Sequence, residues 1–228
     1  MQHPMIFHNQ PSGRHIGRKR NIFALTFRIS NNLFTFAIAM RKIILITGGQ
    51  RSGKSVQAER LALSLSPQPV YMATAHIWDD EFRQRVARHQ ERRGSQWTNI
   101  EEEKWLSRHD VTGRVVVVDC ITLWCTNFFF DRTANEWEQP TVDEALTALQ
   151  AEFDKFTQQE ATFIFVTNEI GSGGVSENAI QRKFTDLEGW MNQYVASKAD
   201  EVILMVSGIA VKIKSSQDSS TIAHSEKR

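Results

Sequence analysis

The chain reads as an α/β fold: a mostly parallel sheet with helices on both faces and an antiparallel edge hairpin at its C-terminal end. Three observations predict this. Short apolar runs recur at 43–47, 70–73, 115–118, 163–166 and 202–206. Between most of them lie longer stretches with apolar residues three and four apart. The first run ends in glycines that open directly into the first such stretch. Strands alternating with helices imply crossover connections and a parallel sheet, in one domain spanning about 41–214.

The elements follow in order. Ile43, Ile44, Leu45, Ile46 and Thr47 form an apolar, β-branched run that reads as a buried strand. A helix over 55–65 carries Ala58, Leu61, Ala62 and Leu65 on one face and ends before Pro67 and Pro69. Val70 to Ala73 is the second strand. Residues 79–93 read as helix, with Phe82, Val86 and His89 at i, i+4 and i+7. Four valines, 115–118, make the third strand and end at Asp119, and 121–130 follows as helix. Pro140 then precedes a capping box of Thr141 and Glu144. The helix it opens has the stripe Val142, Ala145, Leu146, Leu149, Phe153 and Phe156. Residues 163–166 are the fourth strand. A glycine-rich loop, 171–174, leads into a long helix from about 177 to 197 with the stripe Ile180, Phe184, Leu187, Met191 and Val195. Residues 202–206 are the fifth strand, and Ser207 and Gly208 turn it into an edge strand over 209–213.

Composition excludes several classes. Of 228 residues, 41% are hydrophobic and 23% charged, which rules out a disordered, collagenous or disulfide-built chain. Cys120 and Cys125 read as buried thiols, consistent with a reducing, cytoplasmic setting. The net charge of +1 gives no case for a nucleic-acid binder, but it hides an asymmetry. No acid precedes Glu59, and residues 1–40 hold Arg14, Arg18, Lys19, Arg20 and Arg28. This basic segment can be read as a secretory leader, a transit peptide, or sequence upstream of a true start at Met40. Arg28, Asn31 and Asn32 break its apolar part, so it is too polar to span a membrane stably. It is set aside as a disordered or non-native extension, and 215–228 as a polar tail.

The strongest signal is Gly48, Gly49, Gln50, Arg51, Ser52, Gly53, Lys54 and Ser55, which fit G-x-x-x-x-G-K-[ST] between a strand and a helix. Glycines let successive N–H groups converge on one concavity, and the helix start adds partial positive charge. Lys54 can reach β- and γ-phosphates and Ser55 can ligate Mg²⁺. The fold class is thus of P-loop NTPase type. Asp119, ending an apolar strand, is the matching acid for Mg²⁺, or else an ordinary helix cap. Ser197, Lys198, Ala199 and Asp200 look like a guanine-reading motif but precede a strand, so the match is a false one.

Further motifs occur in one order: Asp79, Asp80 and Glu81 with Arg85 to His89; Asp119 to Thr122 with Thr126 and Asn127; Val166 to Gly171; Glu177 and Asn178 with Arg182, Phe184, Asp186, Gly189, Asn192 and Gln193; and Ala199 to Gly208 with Ile213 and Lys214. With the phosphate loop, this set resembles the bifunctional adenosylcobinamide kinase / adenosylcobinamide-phosphate guanylyltransferase family over roughly 42–214. The resemblance implies two reactions of cobalamin biosynthesis. ATP or GTP phosphorylates the aminopropanol hydroxyl of adenosylcobinamide. GTP then gives adenosylcobinamide-GDP through a GMP attached to a histidine, whose matching position is His89.

The residues around His89 agree with that role. Arg85, Arg92 and Arg93 lie one turn away, disfavour the imidazolium and offer donors to phosphate. Taken without the resemblance, the same pattern describes a half-exposed helix histidine beside solvated arginines. The resemblance also implies that Ala73, Thr74, Ala75, Gln90, Glu91, Arg92 and Arg93 line the nucleotide and that Glu101 contacts the guanosine. Glu101 to Glu103 is equally an acidic, solvated run. Asn168, Glu169 and the loop 171–176 sit at the carboxyl end of a strand, where ligands bind in open α/β sheets. Asn178, Arg182 and Asn192 match the family but equally suit capping and helix-surface roles. The loop lacks the proline expected near Ser176, a departure that bears on its substrate contacts. The resemblance implies a corrinoid substrate and a homo-oligomer, often a trimer, with Trp124, Phe128 and Trp137 as interface candidates. The alternatives are a monofunctional P-loop kinase of another small alcohol, or a non-catalytic nucleotide or nucleic-acid module.

Overall fold

The computed structural model describes residues 41–76, 80, 93–130 and 139–215, and the backbone of 24–29 and 32–37. The chain divides into two compact units, 1–38 and 39–228. In the first, β1 (Ala24–Ile29) and β2 (Asn32–Ala37) pair antiparallel, from Ala24 opposite Ala37 to Ile29 opposite Asn32. This hairpin is not among the elements the sequence predicts.

The second unit holds a seven-stranded sheet. Its strands are β3 (Lys42–Gly48), β4 (Val70–Ala73), β5 (Thr98–Glu101), β6 (Val115–Asp119), β7 (Thr162–Val166), β8 (Glu201–Val206) and β9 (Ile209–Lys214). Their order is β5-β4-β6-β7-β3-β8-β9. Every pair is parallel except β8 with β9. Ser207 and Gly208 both take positive φ, 50° and 85°, which is what a tight two-residue hairpin of right-handed strands requires. The expected α/β fold with its C-terminal edge hairpin is the observed one.

The central strands are buried on both faces, so their alternate residues enter two different cores. Ile43, Leu45, Val116, Val118, Phe163 and Phe165 face α2 (Ile121–Phe129), α3 (Val142–Phe156) and α4 (Ala179–Lys198). Ile44, Ile46, Val115, Val117, Ile164 and Val166 face α1 (Lys54–Leu65), which contributes Ala58 and Ala62. Small residues there let α1 lie close to the sheet beside the phosphate loop. The Thr141–Glu144 capping box forms reciprocally at the start of α3. Asp200, of the false guanine motif, accepts from the Ile43 N–H at 2.9 Å and ties the start of β8 to β3.

Several expectations need correction. Strand β5 has no counterpart among the expected strands; of its residues only Glu101 belongs to the acidic run 101–103. Ile180 is 56% exposed rather than part of the buried stripe, because it lies in the first turn of α4, beyond the sheet. Leu65, likewise, is exposed at the last turn of α1. Trp124 and Phe128 are buried and packed edge to face in the α2 side of the core, so they offer no interface. Trp137 lies outside the described residues. Among the described residues no helix is long and apolar enough to cross a membrane.

Candidate active site

The site is built at the carboxyl ends of β6, β7 and β3, which lie side by side. Strand β3 runs out at Gly48 and α1 begins at Lys54. The turn between them needs glycine at two places. Gly48 has φ 148°, and a Cβ there would run into the Met205 carbonyl oxygen. Gly53, the N-cap of α1, is left-handed at φ 96°. No side chain caps α1, so its first N–H groups remain available to an anion.

Lys54 is 7% exposed and bends back over the loop. Its Nζ donates to the Gly49 carbonyl at 2.5 Å and lies 3.4 Å from Ser52 Oγ. Burial pulls its pKa below the usual lysine value, while the nearby Cys120, Asp119, Glu188 and Glu169 oppose that shift. An ammonium held by one backbone carbonyl and a serine hydroxyl, with acids nearby, is poised to follow a phosphate. The Gly208 N–H, from the β8–β9 turn, donates to Ser52 O at 3.0 Å and braces the loop from outside.

Asp119 stands at the end of β6, opposite Ala73 of β4 and Val166 of β7. Its Oδ2 accepts from the Tyr71 hydroxyl at 2.7 Å. Burial, and then the Asp119 charge, hold Tyr71 well above its ordinary pKa, so it remains a donor at any physiological pH. The Arg93 guanidinium lies over the Tyr71 ring, 3.5 Å from its centroid. Arg93 Nε donates to Asn99 Oδ1 at 3.0 Å, and its Nη1 is 3.8 Å from Glu59 Oε1.

Between Asp119 and the phosphate loop lies the turn after β7, and three elements grip it. Thr167 donates to Asn192 Oδ1 on α4 at 2.7 Å. Asn168 donates to Thr122 Oγ1 on α2 from both its backbone and its side chain, at 3.1 and 2.9 Å. Glu169 accepts from Thr47 Oγ1 on β3 at 2.6 Å, and its N–H donates to Gly48 O at 3.1 Å. The Thr122 hydroxyl in turn donates a hydrogen bond to Glu188 Oε1 of α4. Glu188 is fully buried, and its Oε2 has no hydrogen-bond partner among the described residues. Desolvation holds this carboxyl up at about 7, with the Glu169 charge adding to the shift and the Thr122 hydrogen bond opposing it.

A parallel sheet with a phosphate loop fits many nucleotide enzymes, and comparison with known proteins decides among them. A family model described as cobinamide kinase / cobinamide phosphate guanyltransferase matches residues 44–213. The chain belongs to this family. It is 39% identical over 183 residues to the bifunctional adenosylcobalamin biosynthesis protein CobU of Escherichia coli strain K12, covering 75% of this chain and 99% of that protein. The protein of the same name from Salmonella typhimurium is 36% identical, with the same coverage. The bifunctional adenosylcobalamin biosynthesis protein CobP of Pseudomonas aeruginosa is 35% identical, covering 75% of this chain and 96% of that protein.

In this member of the family, the structure brings together residues 48–55, Asp119 and the end of β4. Thr74 is fully buried there, and its hydroxyl donates to Cys120 O and accepts from Cys120 N–H. Arg93 is buried against Tyr71. Glu101 lies on the edge strand β5, paired opposite Ala73. His89, Gln90, Glu91 and Arg92 lie outside the described residues. Asn178 caps α4 by accepting from Ile180 and Gln181 N–H, and Arg182 donates to the Ser176 and Glu177 carbonyls. Asn192 is a strut of the β7 turn.

Sequence reasoning missed Glu188 and Thr122 as members of the site. A signal for Glu188 existed: it stands four residues after Phe184 and three before Met191, on the apolar face of its helix.

Two hard oxygen donors, Ser55 Oγ at the start of α1 and the Asp119 carboxylate, suit Mg²⁺, which keeps waters and shares phosphate oxygens. Among the described residues no group of three or more His, Cys, Asp or Glu could cage a metal without such help. When bound, the ion would neutralise charge on the β- and γ-phosphates.

Proposed function

We propose that the chain phosphorylates the aminopropanol hydroxyl of adenosylcobinamide and then transfers GMP from GTP to the phosphate so made. The observation that carries this reading is the uncapped start of α1 beneath the 48–55 loop, in a chain of the cobinamide kinase / cobinamide phosphate guanyltransferase family. Residues 48–55 hold the triphosphate, Lys54 accompanies its β- and γ-phosphates, and Ser55 with Asp119 holds Mg²⁺. ATP or GTP serves the first step and GTP the second.

In the second step His89 is the nucleophile. Its neutral imidazole attacks the α-phosphorus, pyrophosphate leaves, and the phosphate of the corrinoid then displaces the histidine. Arg85, Arg92 and Arg93 favour the neutral ring by their charge. Ala73, Thr74, Ala75, Gln90, Glu91 and Glu101 complete the nucleotide site. The chain acts as a homo-oligomer in the cytoplasm, on a corrinoid and not on nucleic acid, and residues 1–40 are dispensable to this chemistry.

Incubation with α-labelled GTP and Mg²⁺ tests the reading. Protein-bound label that is acid-labile, alkali-stable and absent from His89→Ala supports it. Undiminished label in His89→Ala removes His89 from the role. Transfer of γ-phosphate with no labelled wild-type protein leaves a monofunctional kinase.

A further inference from the structure

Phosphorylation of a hydroxyl requires that its proton go somewhere, and the phosphate cradle itself holds no carboxylate or imidazole to take it. Beside the buried Cys120 thiol, four further ionisable groups converge on the carboxyl ends of β6, β7 and β3: Asp119, Lys54, Glu169 and Glu188. Lys54 is a cation. Asp119 has one oxygen taken by Tyr71 and is the acid suited to Mg²⁺. Glu188 has no exposed surface, and its Oε1 is taken by Thr122. Glu169 differs from all three. Its side chain reaches the surface, its Oε1 is fixed by Thr47, and its Oε2 makes no hydrogen bond among the described residues.

Glu169 is also held where an acceptor hydroxyl must arrive. Its N–H is bonded to the carbonyl of Gly48, the first residue of the cradle. Thr47, which fixes its carboxylate, precedes Gly48 directly. Strand order sets the turn of residues 167–169 between Asp119 and the cradle. Two residues further on, Gly171 begins the wall of a cavity of about 330 Å³, also lined by Gly174, Val175, Ser176, Arg182 and Asp186. Glu169 is not part of that wall; it stands two residues before it along the chain and is bonded to the cradle at Gly48.

We propose that Glu169 is the catalytic base of the phosphorylation step, its free Oε2 accepting the proton of the substrate hydroxyl. The proposal rests on the kinase reading above. The hydroxyl oxygen forms its bond to the γ-phosphorus, and the bond from that phosphorus to the β,γ-bridging oxygen breaks. The nucleoside diphosphate leaves with the electron pair, and the proton passes to Glu169 and then to solvent. The buried partner supports this division of labour. Desolvation and the Glu169 charge hold the Glu188 carboxyl up at about 7, and it has no exposed surface, so the exposed carboxylate is the one open to an arriving hydroxyl. Thr122 and Asn168 link the two, which helps fix the turn without engaging the second oxygen of Glu169.

The test is Glu169→Gln in the full chain, assayed for phosphorylation of adenosylcobinamide. Glutamine keeps the shape and an oxygen for Thr47 but cannot take a proton. The expected result is a fall in kcat of about 100-fold or more, with the KM for the nucleotide within about threefold of wild type. Glu169→Asp, which keeps a carboxylate, should recover part of the lost kcat. A Glu169→Gln kcat within about threefold of wild type overturns the assignment. So does a loss carried entirely by the nucleotide KM, which would make Glu169 a strut of the cradle. Wild-type protein that transfers no phosphate to adenosylcobinamide overturns the kinase reading and this assignment together.

Discussion

The Tyr71 hydroxyl donates to Asp119 Oδ2 at 2.7 Å, from one strand to the next, while Arg93 covers the Tyr71 ring. The acid that suits Mg²⁺ is therefore aimed by a neutral donor that is itself pinned by a buried cation. Tyr71→Phe keeps the ring under Arg93 and removes only the aim. Phosphoryl transfer should slow about fivefold, the worth of one hydrogen bond of roughly 1 kcal/mol. The Mg²⁺ concentration for half-maximal rate should shift as well. Steady-state rates across a Mg²⁺ titration check this, and an unchanged titration would reduce Tyr71 to core filler.

Gly48 and Gly49 should respond very differently to alanine. At Gly48 the new Cβ runs into the Met205 carbonyl with φ at 148°, so β3 and β8 must part. The expected loss is about 3 kcal/mol, or on the order of 10 °C in Tm. At Gly49 nothing lies within 4 Å of the added atom. Its alanine variant should melt within about 2 °C of wild type. Thermal unfolding of the two variants side by side measures the contrast.

Glu188 makes stability depend on pH. Its folded pKa, about 7, lies above the ordinary carboxyl value of 4.5. Between those values the folded chain binds more protons than the unfolded one, so stability falls as pH rises through the window from about 4.5 to about 7. The full effect is on the order of 3 kcal/mol. Glu188→Gln cannot ionise and should lose this slope, becoming more stable than wild type at pH 8 but not at pH 5. Denaturant titrations at both pH values decide the matter.

Thr141→Ala removes half of the capping box at the start of α3, far along the chain from the phosphate loop. It should cost about 1 kcal/mol and lower Tm by about 2–4 °C, with kcat for phosphorylation unchanged. A larger fall would mean that α3 depends on its first turn more than on its buried Leu149, Phe153 and Phe156.

Much of this was legible because it is local. The phosphate loop is a run of adjacent residues, and its glycines answer to backbone conformation. The capping box is a four-residue pattern. The valines of β6 announce a strand buried on both faces, and the helix stripes announce which side meets the sheet. Strand β5 was not legible. Thr98, Asn99, Ile100 and Glu101 carry no apolar pattern, since an edge strand needs none. Only the backbone hydrogen bonds that β4 offers make it a strand.

Sequence alone determined the α/β fold, the cradle and the acid Asp119, because each is written in neighbouring residues or in the period of one element. Tertiary structure decided what surrounds them. It set Tyr71 against Asp119, Thr47 against Glu169, and Thr122 between Asn168 and Glu188. These pairs lie 48, 122, 46 and 66 residues apart along the chain. They meet only because strand order in the sheet is not sequence order, and no local pattern encodes which strand ends become neighbours.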